Sequence, residues 1–183
     1  MSIKFRPLEA DEIKCRVAQC GKAGVKLLLY KDARCDMDIL DETVGNENWQ
    51  DEYYEAKGIL FCRIGINIGA RMDCLTEWIW KADAGAESNM EADKGNASDA
   101  LKRAGFRWGI GRALYTAPEI FIYETDSKGK KNAVIGTSKD GKPACYDKFS
   151  VEKIKYSDDG KRIIGLAIRN ESLNKRVFVW QAK

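Results

Sequence analysis

Histidine is absent from this 183-residue chain. Its absence removes the usual general base at neutral pH and the commonest zinc ligand. Hydrolytic chemistry here would have to rest on carboxylates or lysine. Long apolar runs are also missing, since none reaches the roughly 20 residues that span a bilayer. The N-terminal stretch MSIKFRPLEADEIK has no apolar signal core, so a cytoplasmic protein with no membrane partner is expected. There is no CxxC pair. The cysteines (Cys15, Cys20, Cys35, Cys62, Cys74 and Cys145) are scattered, as reduced and mostly buried thiols would be. No GxxxxGK[ST] occurs, so no Walker-type ATP site is expected. The GIG at Gly109 to Gly111 sits inside a helical pattern and makes a poor phosphate loop. Excess charge is small as well: 31 basic residues against 28 acidic ones leave +3. Any nucleic-acid binding must then come from local basic patches.

What is present is a globular composition. Hydrophobic residues make up 44% of the chain, and its length fits one domain with room for a core. Ile13, Val17 and Cys20 have a helical spacing and predict a first helix from about Leu8 to Cys20, ended by Gly21 and Gly24. Val25 to Tyr30 predicts a strand. Met37, Leu40 and Val44 predict a second helix, stopped by Gly45. Trp49 to Tyr54 and Ile59 to Ile68 alternate as strands, with Leu60, Cys62, Ile64, Ile66 and Ile68 on one face and Arg63 on the other. The turn Gly69 to Asp73 leads to a further strand ending near Lys81.

A capping box, Ser88 with Glu91, opens a long helix expected to run to about Tyr115. Strands follow at Ile120 to Glu124, Phe149 to Tyr156, Ile163 to Ile168 and Val177 to Trp180. The strands form runs between helices, which indicates an α+β fold: an antiparallel sheet or meander packed on the long capped helix, with C-terminal strands. The expected division is a core over 1–124, a flexible basic loop over 125–148, and C-terminal strands over 149–183 packed on the same domain.

The helix of residues 97–115 carries the main candidate site. Ala97, Leu101, Ala104, Trp108, Gly111 and Tyr115 share one stripe that would pack on the sheet. Lys102 and Arg103 project away from it, and Arg107 follows Arg103 one turn later. Gly105, Gly109 and Gly111 each cost about 1 kcal/mol in a helix relative to alanine, which suggests a kink or a close backbone approach. Two accounts fit the charges. The basic residues form a phosphate-binding face, or they complement the helix dipole on a solvated surface.

Other candidates are Arg16 and Tyr30, which flank the first glycine turn, and Arg63 and Arg71 near the hairpin. Each taken alone reads first as a plain surface residue. Trp49, Trp78 and Trp80 could stack bases or pack on the sheet. Lys128, Lys130, Lys131, Lys139 and Lys142 form a basic loop that is either a second DNA contact or solvated chain. Asp36, Asp38, Asp41 and Glu42 form an acidic cluster without a metal-site spacing, and solvation of a helix N-terminus accounts for it. No metal or cofactor is expected.

Two segments together resemble a known family. They are LDETVGNENWQDEY (Leu40 to Tyr53) and ASDALKRAGFRWGIGRALY (Ala97 to Tyr115), the latter preceded by Asp83 to Gly85. The pairing resembles the single-strand annealing proteins of the Rad fifty-two superfamily, especially the short Sak-type phage recombinases, over about Glu12 to Tyr115. The resemblance implies a β-β-β-α core that oligomerises into rings, with single-stranded DNA held by its backbone in a groove. It implies ATP-independent annealing without covalent catalysis, in a bacterial host cytoplasm. Partners would be single-stranded DNA, further copies of the chain, and a host or phage single-strand-binding protein or exonuclease.

On the family pattern, Lys102 and Arg103 match the basic pair of the groove helix, and Arg16 and Tyr30 match two further groove positions. Phe106 occupies the next family arginine position, with Arg107 one residue later. The DNA-binding set is therefore Arg16, Tyr30, Arg63, Lys102, Arg103 and Arg107. Two other classes stand beside this one: a non-annealing DNA-binding or scaffold protein of a phage replication or recombination complex, and a carboxylate-dependent nuclease using Asp36 to Glu42.

Overall fold

The computed structural model of the chain describes residues 3–69, 77–85 and 92–182, with 92–94 described by their backbone alone. The fold is α+β, with antiparallel sheets and, among the described residues, two α-helices. The Ser88–Glu91 capping box and Arg71 lie outside the described residues. Contacts divide the chain into two compact units, Met1–Arg6 with Lys31–Arg112, and Pro7–Tyr30 with Ala113–Lys183. Among the described residues no helix is long and apolar enough to cross a membrane.

The first unit begins with α1 (Ala33–Val44). Asp32 caps it by accepting from the Cys35 N–H at 3.0 Å, and Gly45, at φ 85°, ends it. The strands β3 (Trp49–Ala56), β4 (Ile59–Asn67) and β5 (Trp78–Ala84) form an antiparallel meander. Lys57 and Gly58 both have positive φ at the first hairpin, as a two-residue turn matching the strand twist requires. The alternation in β4 buries Cys62, Ile64 and Ile66 completely. Against that face lies α2 (Ala92–Trp108), with Ala100, Leu101 and Ala104 buried. The Trp108 indole N–H donates to the Ile64 carbonyl at 3.0 Å and pins the end of the helix to the sheet.

The helix is shorter than its sequence pattern predicts. It stops at Trp108 in a Schellman motif: the Gly109 N–H reaches the Phe106 carbonyl and the Ile110 N–H the Gly105 carbonyl, each at 3.1 Å. Gly109 turns to φ 107°, which any side chain would resist. The Arg112 guanidinium then takes up the Phe106 and Arg107 carbonyls at 2.6–2.8 Å. Arg112–Thr116 is a separate 3-10 helix, and Tyr115, expected on the packing stripe, is 71% exposed.

The second unit is built on a six-stranded antiparallel sheet. Its strands are β1 (Lys14–Gly21), β2 (Gly24–Tyr30), β6 (Ile120–Tyr123), β9 (Phe149–Tyr156), β10 (Ile163–Asn170) and β11 (Lys175–Gln181), in the order β11-β10-β9-β1-β2-β6. The minor ribbon β7 (Gly136–Thr137) with β8 (Pro143–Ala144) lies between β6 and β9 in sequence. Val25, Leu27, Ile120, Ile122, Val151, Leu166 and Ile168 fill the core.

The helix expected from Leu8 to Cys20 does not form: a turn at residues 10–12 leads into the strand β1 at Lys14. Cys15 and Val17 follow a two-residue period, and the register then slips between Val17 and Gln19. That bulge adds one residue, so Cys20 is the next half-buried position. A strand with a bulge thus produced a spacing that mimics a helix.

One contact fixes the seat of α2. A Cβ on Gly105 would lie 2.2 Å from the Asp36 Oδ1 of α1. Helix propensity favours alanine there by about 1 kcal/mol, but overpacking typically costs about 1–3 kcal/mol. Gly105→Ala is therefore expected to be destabilising, by about 1–2 kcal/mol net. Urea denaturation checks this, and a variant more stable than the parent would refute the close approach.

Candidate nucleic-acid interface

Lys102 and Arg103 follow the buried Leu101 on α2, so the helix turn carries them to its outer side. Both reach back to Asp99, Arg103 at 2.8 Å and Lys102 at 3.8 Å, with side chains 42% and 24% exposed. Arg107, one turn on, is 62% exposed and pairs with Asp83 of β5 at 2.9 Å. Lys81 donates to the Arg107 carbonyl at 3.3 Å while its ammonium sits 4.2 Å from the Trp108 ring centre. Burial lowers the Lys81 pKa, and the charge of Arg112 adds to that shift. Five cations thus gather around the last two turns of α2, with Lys102, Arg103 and Arg107 on the helix, Lys81 on β5 and Arg112 just beyond Trp108, and with carboxylates at Asp99 and Asp83.

Beneath this surface lies an ion pair without access to water. Lys31 and Asp36 have side chains 0% exposed, and the Lys31 ammonium donates to both oxygens of Asp36. Its third partner is the Lys102 carbonyl at 3.3 Å. The Phe106 ring closes over it, 4.3 Å from the nitrogen. The aromatic at a position where the resemblance expects arginine therefore covers a buried lysine, and Arg107 supplies an exposed cation beside it. Burial raises the Asp36 pKa to about 6 although the Lys31 ammonium opposes the shift. Burial also lowers the Lys31 pKa, against the pull of Asp36.

Arg63 does not join this group. It projects from the face of β4 opposite Ile64, pairs with Glu52 across the β3–β4 ladder at 2.9 Å, and stacks 4.5 Å from the Trp80 ring. Trp80 in turn covers Gly65, where a Cβ would come within 2.8 Å of the ring. The sheet therefore separates Arg63 from the cations of α2.

Arg16 and Tyr30 belong to the second unit. They lie on adjacent strands of one sheet, where Lys14 is paired with Tyr30 and Arg16 with Leu28. Both line an open groove of about 1090 Å³. Among the described residues no ion pair holds Arg16. The groove has contributors that no sequence motif marks: Lys14 on β1, and Tyr146 and Lys148 between β8 and β9. Register alone would have paired Lys14 with Tyr30. No local signal places Tyr146 there, since it lies more than a hundred residues from Arg16.

Three of the four members of the acidic cluster have separate partners. Asp36 is the buried partner of Lys31, which corrects the expectation that it solvates a helix end. Asp41 accepts from the Trp49 indole at 2.6 Å, and Glu42 pairs with Arg6 at 2.7 Å. Among the described residues no group of three or more cysteines and carboxylates is placed to hold a metal ion.

A family model described as "Rad52/22 family double-strand break repair protein" matches residues 6–133. No curated protein and no solved structure gives a significant match to the chain.

The raised Asp36 pKa has a signed consequence. The ordinary value in an unfolded chain is about 4, so between that value and about 6 the folded state binds the proton more tightly. The contribution of Asp36 to stability therefore grows as pH falls through about 6, and the gain is complete once the unfolded chain is also protonated. Unfolding midpoints at pH 7 and pH 5 check this against Asp36→Asn, which lacks the titration. The parent should gain stability relative to the variant at pH 5, and parallel midpoints would refute the shift.

Proposed function

Since the chain belongs to the Rad52/22 family of double-strand break repair proteins, we propose that it binds single-stranded DNA and anneals complementary strands without ATP, as a phage recombinase of the Sak type. The observation that carries this reading is the pair Lys102 and Arg103, adjacent on the outer side of α2 and within the matched segment. Arginine and lysine there donate to phosphate oxygens and release counterions, a gain independent of base sequence. Phosphates held this way leave base edges free to test a second strand. Correct pairing then adds stacking and hydrogen bonds that a mismatch lacks.

One chain carries few such cations. A ring of copies would join them into a continuous track, which is how the assembly enters the mechanism. In the second unit, Arg16 and Tyr30 offer a cation and an aromatic ring of their own to a strand. Arg107 supplements Lys102 and Arg103, whereas Arg63, on the other face of its sheet, stabilises the β3–β4 ladder.

Annealing of two labelled complementary oligonucleotides, without ATP and across a salt series, tests the proposal. The parent should anneal, with an affinity that falls steeply with salt. Lys102→Ala with Arg103→Ala should lose binding by at least about tenfold while keeping its circular dichroism. Unchanged affinity in that folded variant would overturn the site. Tight binding without annealing would point to a scaffold or strand-protecting protein instead.

Asp99 gives a second test with the opposite sign. Its carboxylate competes with phosphate for Lys102 and Arg103. Asp99→Asn should tighten single-strand binding about two- to fivefold at low salt, with the gain fading as salt screens the charge. Weaker binding would mean that Asp99 is needed to hold the two cations in place.

A further inference from the structure

The groove of the second unit has two walls. One is the β1–β2 hairpin with Lys14, Arg16 and Tyr30. The other is the segment between β8 and β9, which brings Tyr146 and Lys148 to the same groove. That second wall lies beyond the residues that the family model matches. Tyr146 is 80% exposed. An aromatic ring left this open gains little from packing, and its free face is a surface on which a planar group can stack.

The groove is lined by charges of both signs, four carboxylates and three cations. Two of its four carboxylates are engaged from within. Asp147 accepts from the Val134 N–H and the Asn170 amide, each at 2.8 Å. Glu152 accepts from Arg176 at 2.9 Å and lies 3.8 Å from Arg169. The other two, Glu9 and Asp11, precede β1 in the chain. Lys14, Arg16 and Lys148 supply the positive charge.

We propose that Tyr146 and Lys148 extend the single-strand site: Tyr146 stacks on a base and Lys148 pairs with a phosphate of the strand that Arg16 and Tyr30 meet in the same groove. Cations beside open aromatic rings are the combination that holds single strands regardless of sequence. Stacking uses the face of a base and leaves its pairing edge free, so the contact is compatible with annealing. The inference rests on the single-strand reading above and adds two residues and a second wall to it.

Fluorescence anisotropy with a labelled oligothymidylate tests the assignment, using Tyr146→Ala, Tyr146→Phe and Lys148→Ala at several salt concentrations. Tyr146→Ala should weaken binding by about tenfold with an unchanged salt slope, and Tyr146→Phe should bind like the parent. Lys148→Ala should reduce the salt slope by about 0.7, the share of one phosphate contact on a single strand. An abasic oligonucleotide should bind the parent and Tyr146→Ala equally, because a base is what the ring contacts. Parental binding and slope in both alanine variants, with binding lost in the Lys102/Arg103 double variant, would overturn this inference and leave the broader reading standing. A parent that does not bind the oligonucleotide at low salt would overturn both.

Discussion

The ion pair between Lys31 and Asp36 is the constraint on which the first unit depends. Neither side chain reaches water, so each charge must find its compensation inside the protein. The lysine spends its donors on both oxygens of Asp36 and on the Lys102 carbonyl. That third bond joins α1 to the backbone of α2 at the residue that carries the first outward cation. Gly105 is the counterpart, because its missing side chain lets the carboxylate approach the helix. Buried pairs of this kind seldom add stability over a well-packed apolar substitute, and the displaced pKa values of both groups agree that burial costs more than pairing returns. What the pair supplies is position. It fixes where α2 lies on its sheet, and with it where Lys102 and Arg103 project.

The electrostatics follow from that placement. A chain of net charge +3 has no bulk attraction for DNA, so its cations matter only where the fold collects them. Lys102, Arg103 and Arg107 are collected on one side of α2, each with a carboxylate near it. Such pairs at the surface are weak, roughly 0–1 kcal/mol. They hold the side chains extended without preventing exchange for a phosphate. On the proposed reading, such exchangeable contacts would also let a strand be released.

Much of the fold was legible in the sequence, and the misses have local explanations. α1, the strands of the meander and the C-terminal strands follow from period and turn residues over short windows. The spacing in β1 mimics a helix because a bulge moves Cys20 from a two-residue to a three-residue spacing. The apolar pattern of α2 runs past its end because Gly109 and Gly111 interrupt the chain without disturbing that pattern. The glycine cost in that segment did signal a close approach. It could not say that Asp36, some seventy residues away, was the group that came close.

The sequence by itself determined α1, the strands of the meander and the C-terminal strands, that Arg63 and Ile64 face opposite sides of one strand, and that the chain has the motif order of an annealing family. These are properties of neighbouring residues, set by backbone periodicity and side-chain type. Only the tertiary structure decided which charges are buried and which remain in water. It turned an acidic cluster into one buried aspartate and two separate surface partners. It also put Arg63 behind its sheet and brought Tyr146 to the groove of Arg16 and Tyr30. Desolvation and charge pairing act through space between residues far apart in the chain, and no local window contains both partners.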